Sequence, residues 1–317
     1  MRVFDEQAVH AALPYPHLIE ALIGHHRHDV DARGKAMLDM PSASGNGDDI
    51  FLALPAWQHG KAIGAKLVSV FPDNEKNGSG LPSVQGVYVL FSGTNGSVQA
   101  VIEGASFTLR KTAADSGAGT RFLARQDAEH MLMVGAGALG PHLIQAHVAA
   151  RPSIREVHVW NRTRARAEAL VSNLSLDGVV LSVCDDLEGS ARQADVISCA
   201  TMATEPLILG DWLKPGAHLD LVGSFRPDMH ECDATALRRA TVFTDSPWSA
   251  IEDCGELTSA LASGTIAPAD IQANLFDFAR DRHPGRQAAD QITLFKNGGG
   301  GHLDLMVAQI LNDGSPA

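Results

Sequence analysis

The hexapeptide Gly135-Ala136-Gly137-Ala138-Leu139-Gly140 directly follows an apolar, strand-like run from Met131 to Val134 and opens a stretch compatible with a helix. Each glycine at this spacing has its own task. Gly135 permits the tight turn, Gly137 lets backbone come close to an anion, and Gly140 allows the helix to pack on the strand. The first helical amides then face the anion, and Pro141 is tolerated because it falls in a first helical turn. Gly135, Gly137, Ala138, Leu139 and Gly140 are therefore expected to hold the pyrophosphate of a dinucleotide. The bland alternative, a glycine-rich turn that binds nothing, is disfavoured by the βαβ pattern around it.

The end of the next strand selects the dinucleotide, because an acid there pairs with a ribose hydroxyl whereas a cation accepts a 2′-phosphate. The sequence reads Trp160-Asn161-Arg162-Thr163-Arg164, with no acid. Arg162, flanked by Asn161 and Thr163, suits a phosphomonoester through charge-assisted bonds, which favours NADPH and leaves NADH possible. The competing reading makes Arg162 and Arg164 ordinary solvated residues at a helix start. Thr201 follows the run Asp195 to Cys199, where the end of a parallel strand meets a cofactor cleft.

Elements that would position these residues can be read from periodicity. Gln7 to His25 is amphipathic, and Phe51 to Leu54, Gly64 to Phe71, Val87 to Phe91 and Val98 to Ile102 read as strands. The last two flank Ser92-Gly-Thr-Asn-Gly-Ser97 and form an antiparallel hairpin, so this half predicts a mixed sheet. Ser106 to Ala124 reads as a helix whose small residues Ala113, Ala114, Gly117, Ala118 and Gly119 allow close packing. Strands then alternate with helices: Met131 to Val134, Glu156 to Trp160, Val179 to Val183, Asp195 to Cys199, His218 to Val222 and Thr241 to Thr244. That alternation predicts a parallel, doubly wound sheet. The expectation is an α/β chain: a Rossmann doubly wound domain over 113–289, and an α+β substrate and dimerisation domain built from 1–112 and 290–317.

Composition narrows the partners. The 317 residues carry a formal net charge of −12 spread along the chain, which argues against a nucleic-acid surface and against docking on anionic lipid. Cys184, Cys199, Cys232 and Cys254 form no CxxC pair, and the fourteen histidines show no HExxH spacing, so no metal site is expected. Neither a secretion signal nor an apolar run of spanning length is evident, and a reduced, cytoplasmic setting is expected.

Longer segments resemble the ornithine cyclodeaminase/mu-crystallin family. They are Gly64-Ala-Lys-Leu-Val-Ser-Val-Phe-Pro-Asp-Asn74, Leu81-Pro-Ser-Val-Gln85, Lys111-Thr-Ala-Ala-Asp-Ser116, Ala200 to His218, and Gly223-Ser-Phe-Arg-Pro-Asp-Met-His-Glu231. The resemblance covers nearly the whole chain in motif order. It implies a homodimer in which the N-terminal domain, completed by the C-terminal tail, carries substrate and subunit contacts. Family activities include ornithine cyclodeamination, alanine dehydrogenation, and reduction of ketimines such as Δ1-pyrroline-2-carboxylate.

Roles carried over from the resemblance are these. Lys66 matches the active-site lysine, and Arg33 matches an arginine that grips the substrate carboxylate. Lys111 stands where many members have arginine; since lysine lacks the planar fork, Arg110 would share the anion contact. Thr112 matches a residue on the nucleotide phosphate. Asn297 through His302 correspond to a segment beside the nicotinamide, with Asn297 a candidate for cofactor contact and His302 for substrate contact. Gly223 opens the loop in which cyclodeaminases place an aspartate, and Phe225 occupies that place here. Losing the carboxylate argues against cyclodeamination, while a hydrophobic side chain suits the ring of a cyclic imine.

The expected reaction is reduction of a small cyclic imino acid to L-proline or L-pipecolate. The substrate is bound by Lys66 and Arg33, with its C2 carbon about 3 to 3.5 Å from the nicotinamide. The rivals are deamination of ornithine or alanine, and a catalytically silent crystallin-like binding protein.

Overall fold

A computed structural model describes residues 1–32, 34–43, 48–75 and 80–314. Its elements run β1 (Arg2–Phe4), α1 (Glu6–Ala12), α2 (Tyr15–His25), β2 (Ala36–Pro41), β3 (Asp48–Gln58), β4 (Ala62–Val70), β5 (Val84–Ser92), β6 (Val98–Glu103) and α3 (Gly104–Leu123). There follow β7 (His130–Val134), α4 (Gly140–Ala150), β8 (Glu156–Trp160), α5 (Arg164–Asn173), β9 (Val180–Val183), α6 (Leu187–Gln193), β10 (Val196–Cys199) and β11 (His218–Leu221). The chain ends with α7 (Ala234–Arg239), β12 (Thr241–Thr244), α8 (Ser249–Asp253), α9 (Gly255–Ala262), β13 (Ile271–Asn274), α10 (Leu275–Ala279), β14 (Thr293–Lys296) and α11 (Gly301–Asp313). Two compact units result: Met1–Lys111 with Gly300–Ala317, and Thr112–Gly299.

The first unit is a six-stranded sheet in the order β1-β6-β5-β4-β3-β2, with β1 parallel to β6 and the other pairs antiparallel. Strand alternation puts Ala62, Gly64, Lys66 and Val68 of β4 on the face that also carries Tyr88 and Leu90 of β5. Helix α11 packs on β3 and β4 and also touches α2. It is apolar nearly all round, and every residue from Gly301 to Leu311 is buried, as such a helix requires. The amphipathic stretch expected over Gln7 to His25 is two helices, because Pro14 precedes Tyr15 and pushes Leu13 out of the helical region.

The second unit is an eight-stranded, wholly parallel sheet in the order β13-β12-β14-β11-β10-β7-β8-β9. From β7 the chain winds one way through β8 and β9, then returns to place β10 on the other side of β7. The crevice outside the C-terminal ends of β7 and β10 is thus a topological switch point, where ligands bind in such sheets. One boundary needs correction. Residues 290–299 were expected with the N-terminal domain, yet β14 pairs with both β11 and β12 in the second sheet. Thr293 to Lys296 is buried on both faces, as an internal parallel strand must be. The chain leaves that sheet at Gly299 and Gly300, whose φ angles are 66° and 133°. No described helix is long and apolar enough to cross a membrane.

Candidate active site

The glycine turn has the geometry its spacing predicts. Gly135 adopts φ 111° and donates its amide to Trp160 O at 2.9 Å. A Cβ there would stand 2.5 Å from Ala200 O and 3.2 Å from Thr201 Cγ2, so conformation and space both require glycine. A Cβ on Gly140 would meet Gly135 O at 2.9 Å and Leu170 Cδ1 at 3.0 Å, the close helix-strand packing assigned to the third glycine. Gly137 and Ala138 are exposed, and nothing lies within 4 Å of a Cβ built on Gly137. Leu139 caps α4 without a side-chain hydrogen bond, so no side chain competes with an anion for its first amides. These residues fit a dinucleotide pyrophosphate.

At the end of β8, Asn161 Oδ1 accepts from Ala136 N at 3.1 Å while its Nδ2 donates to Thr163 O at 2.8 Å, linking the two turns. The two arginines then separate in role. Arg164 is held by Glu168 at 2.8 Å and by Asp185. Arg162 is exposed and makes no hydrogen bond or ion pair among the described residues. Thr163 precedes α5 without capping it, leaving its hydroxyl uncommitted there.

Loops after β10 and β11 are fastened together by an acid that carried no role in the sequence reading. Glu231 Oε1 accepts from Thr201 N at 2.7 Å and Thr201 Oγ1 at 2.9 Å, and its Oε2 accepts from Gly223 N at 2.7 Å. Asn297 is not presented to a ligand as expected. It is 3% exposed, and its Nδ2 donates to Thr112 O and Ser116 Oγ, both at 3.0 Å, so it fastens β14 to α3. The Thr112 side chain is left partly accessible. Phe225 is 55% exposed on the loop after β11.

In the first unit, Lys66 Nζ donates to Thr108 Oγ1 at 2.9 Å, and Thr108 Oγ1 donates to Gly104 O at 2.7 Å. Burial lowers the Lys66 ammonium to a pKa of about 8; Asp304 opposes that shift and Lys111 adds to it. Asp304 is wholly buried, and Lys111 Nζ lies 2.6 Å from its Oδ1. Tyr88 pairs across the sheet with Lys66, and its hydroxyl has no hydrogen-bond partner among the described residues. Burial, reinforced by Asp304, holds that phenol protonated. Gly64 makes room for it, since a Cβ there would fall 2.1 Å from the Tyr88 oxygen. With Lys111 paired to Asp304, Lys66 is the cation of this cluster left to meet an anionic substrate or part with a proton.

Other expected substrate residues fare differently. Arg33 lies outside the described residues. Arg110 is not brought to Lys66, because its Nε donates to His10 Nδ1 at 3.0 Å and its guanidinium sits 4.6 Å over the Tyr15 ring. Neighbouring helical positions diverge by about 100°, so Arg110 and Lys111 cannot share one anion from the same face. His302 is wholly buried and edge-on to His26 at 6.1 Å. Burial, then His26 and Lys111, push its pKa well below the usual value, so this neutral, packed imidazole is no acid for the substrate. Asp304 had a legible signal: a carboxylate inside Leu303-Asp-Leu-Met-Val307, a helix buried all round, must find a cation. Nothing local marked Glu231, whose partners come from loops distant in sequence.

Residues 11–315 match the ornithine cyclodeaminase/mu-crystallin family. The chain is 41% identical over 271 residues to the Δ1-pyrroline-2-carboxylate reductase of Paracoccus denitrificans, spanning 83% of this chain and 85% of that one. It is 34% identical over 266 residues to the ketimine reductase mu-crystallin of Rattus norvegicus, spanning 82% and 79%. Its fold is similar to that of Thermococcus litoralis Δ1-pyrroline-2-carboxylate reductase, solved with NADH and L-proline, at a TM-score of 0.88 and 24% identity over 99% and 97% of the chains. The family match runs through the glycine turn and through both units, and the chain belongs to the ornithine cyclodeaminase/mu-crystallin family.

Proposed function

We propose that this protein reduces cyclic ketimine carboxylates, Δ1-pyrroline-2-carboxylate and Δ1-piperideine-2-carboxylate, to L-proline and L-pipecolate with NADPH. It is an NAD(P)H-dependent oxidoreductase acting on a C=N bond. The observation that carries the reading is Lys66, a buried ammonium with a pKa of about 8 beside an internally neutralised Lys111–Asp304 pair.

When bound, the reduced nicotinamide supplies the electron pair and hydrogen taken up by the imine carbon. The protein's own groups do the rest. The Lys66 ammonium holds a proton at neutral pH and passes it to the ring nitrogen, which balances the C–H and N–H bonds formed. Thr108 Oγ1, itself committed to Gly104 O, fixes the lysine's direction. Arg33 pairs with the substrate carboxylate. One methylene is worth only about 1 to 3 kcal/mol of discrimination, so both rings are accepted. Preference for NADPH is supported by Arg162, the uncommitted guanidinium at the end of β8. Names of the relatives support the substrate class, and Phe225 in place of a carboxylate supports reduction over cyclodeamination.

The test is oxidation of NADPH with the five- and six-membered imines by the wild-type protein and by Lys66→Met. Turnover of both rings, reduced about 10²-fold or more in the variant, is expected. Dinucleotide binding without oxidation by either ring would refute the reductase reading.

A further inference from the structure

We propose that Glu231 is a positioning residue, whose carboxylate fastens the loops after β10 and β11 to each other and so sets where Thr201 stands in the dinucleotide crevice. The inference rests on the reading that the glycine turn holds a dinucleotide. Three donors converge on one carboxylate: Thr201 N and Oγ1 on Oε1, and Gly223 N on Oε2. Gly223 is the space the carboxylate needs, since a Cβ there would lie 2.4 Å from Glu231 Oε1 and 2.0 Å from Thr201 O. Thr201 in turn borders the first glycine of the turn, 3.2 Å from the position of a Gly135 Cβ.

The acid is itself anchored. Glu231 N donates to Glu256 Oε1 at 2.5 Å, and Glu231 O accepts from Leu207 N and Ile208 N, each at 3.0 Å. With the side chain buried and both oxygens engaged, Glu231 acts on a ligand only through the loops it holds.

Charged and titratable groups around it are Lys296 from β14, Glu256 from α9, Cys199 from β10 and the adjacent Cys232. Burial, with Glu256 adding and Lys296 opposing, raises Glu231 to a pKa of about 7. Two opposite pH effects follow. Protonation turns one accepting oxygen into a donor facing a donor, so the fastening loosens as pH falls through about 7. Fold stability responds the other way. A carboxyl whose folded pKa is raised contributes stability at low pH that is lost as pH rises through the folded value.

The experiment measures the Kd of NADH, which lacks a titrating 2′-phosphate, against pH for the wild-type chain, Glu231→Gln and Glu256→Gln, with Tm recorded alongside. Wild-type affinity is expected to fall on acidification with a midpoint near 7. Glu231→Gln should bind about tenfold more weakly at mildly alkaline pH and lose that pH dependence, with no loss of Tm there. Glu256→Gln removes a neighbouring negative charge and should move the midpoint to lower pH. A wild-type Kd and pH slope in Glu231→Gln would overturn the proposal. Should that variant not fold, an unmoved midpoint in Glu256→Gln would do the same. A wild-type chain that binds neither NADH nor NADPH sinks the dinucleotide reading itself, and this inference with it.

Discussion

Lys66 keeps a proton that it can part with because burial outweighs the carboxylate that favours its charge. Burial disfavours the ammonium, Asp304 favours it, and Lys111 disfavours it again. The protonated form is the one that serves an imine, so the rate is expected to be sustained below about pH 8 and lost as pH rises through that value. Asp304→Asn removes the favouring charge and frees Lys111 from its partner, so the alkaline limb of kcat/KM should move to lower pH; an unmoved limb would show that Lys66 is not the titrating acid. Arg162 makes a second prediction at this scale. Arg162→Ala should raise KM for NADPH at least about tenfold while leaving KM for NADH nearly unchanged, as expected for a lost charge-assisted bond to a 2′-phosphate. Equal losses for both dinucleotides would assign Arg162 elsewhere. The glycines could be picked out from residue type and spacing, and Lys66 from the family resemblance. Glu231 could not, because its role is set by donors on loops that only the parallel sheet brings together.

Helix α3 shows what elements add. Glu103 accepts from Ala105 N and Ser106 N at 2.7 and 2.8 Å and so satisfies the first amides. At the other end, the buried Arg151 reaches the carbonyls of Thr120, Arg121 and Ala124 at 2.8, 3.0 and 3.0 Å, and Gln126 Oε1 at 2.6 Å. A cation at a helix C-terminus also complements the dipole. Arg151→Met should therefore lower unfolding free energy by about 3 kcal/mol, read as a reduced urea midpoint at constant slope. A shift under about 1 kcal/mol would mean water replaces the guanidinium on those carbonyls. The small residues of α3 were legible as a packing surface, and Gly119 sits where a Cβ would be 2.7 Å from the Phe295 ring. What lay across from them was not. An apolar run as short as Ile292 to Phe295 fits an internal strand of either sheet, and only its pairing with β11 and β12 decides.

For the molecule as a whole, the alternation of strands and helices was enough to predict the doubly wound sheet, but the surface that would join two copies needed the strand register. In the first unit, α11 packs against β3, β4, β5 and β6 on one face of the six-stranded sheet. The other carries Trp57, Ile63 and Val87 at 40%, 44% and 37% exposure, a contiguous apolar patch through the pairs Trp57↔Ile63, Ile63↔Phe91 and Leu67↔Val87. The family resemblance implies a homodimer, and we propose this patch as the face across which two copies join. A two-fold axis would bring each substituted residue into the interface twice. Ile63→Asp should therefore place two unpaired carboxylates in apolar surroundings, converting a dimer into a monomer at micromolar concentration by light scattering coupled to size exclusion. Ile63 lies on the face opposite Lys66, so folding of the subunit should persist, judged by an unchanged far-ultraviolet circular dichroism spectrum. A wild-type protein that elutes as a monomer, or an Ile63→Asp variant that remains a dimer, would rule this face out as the interface.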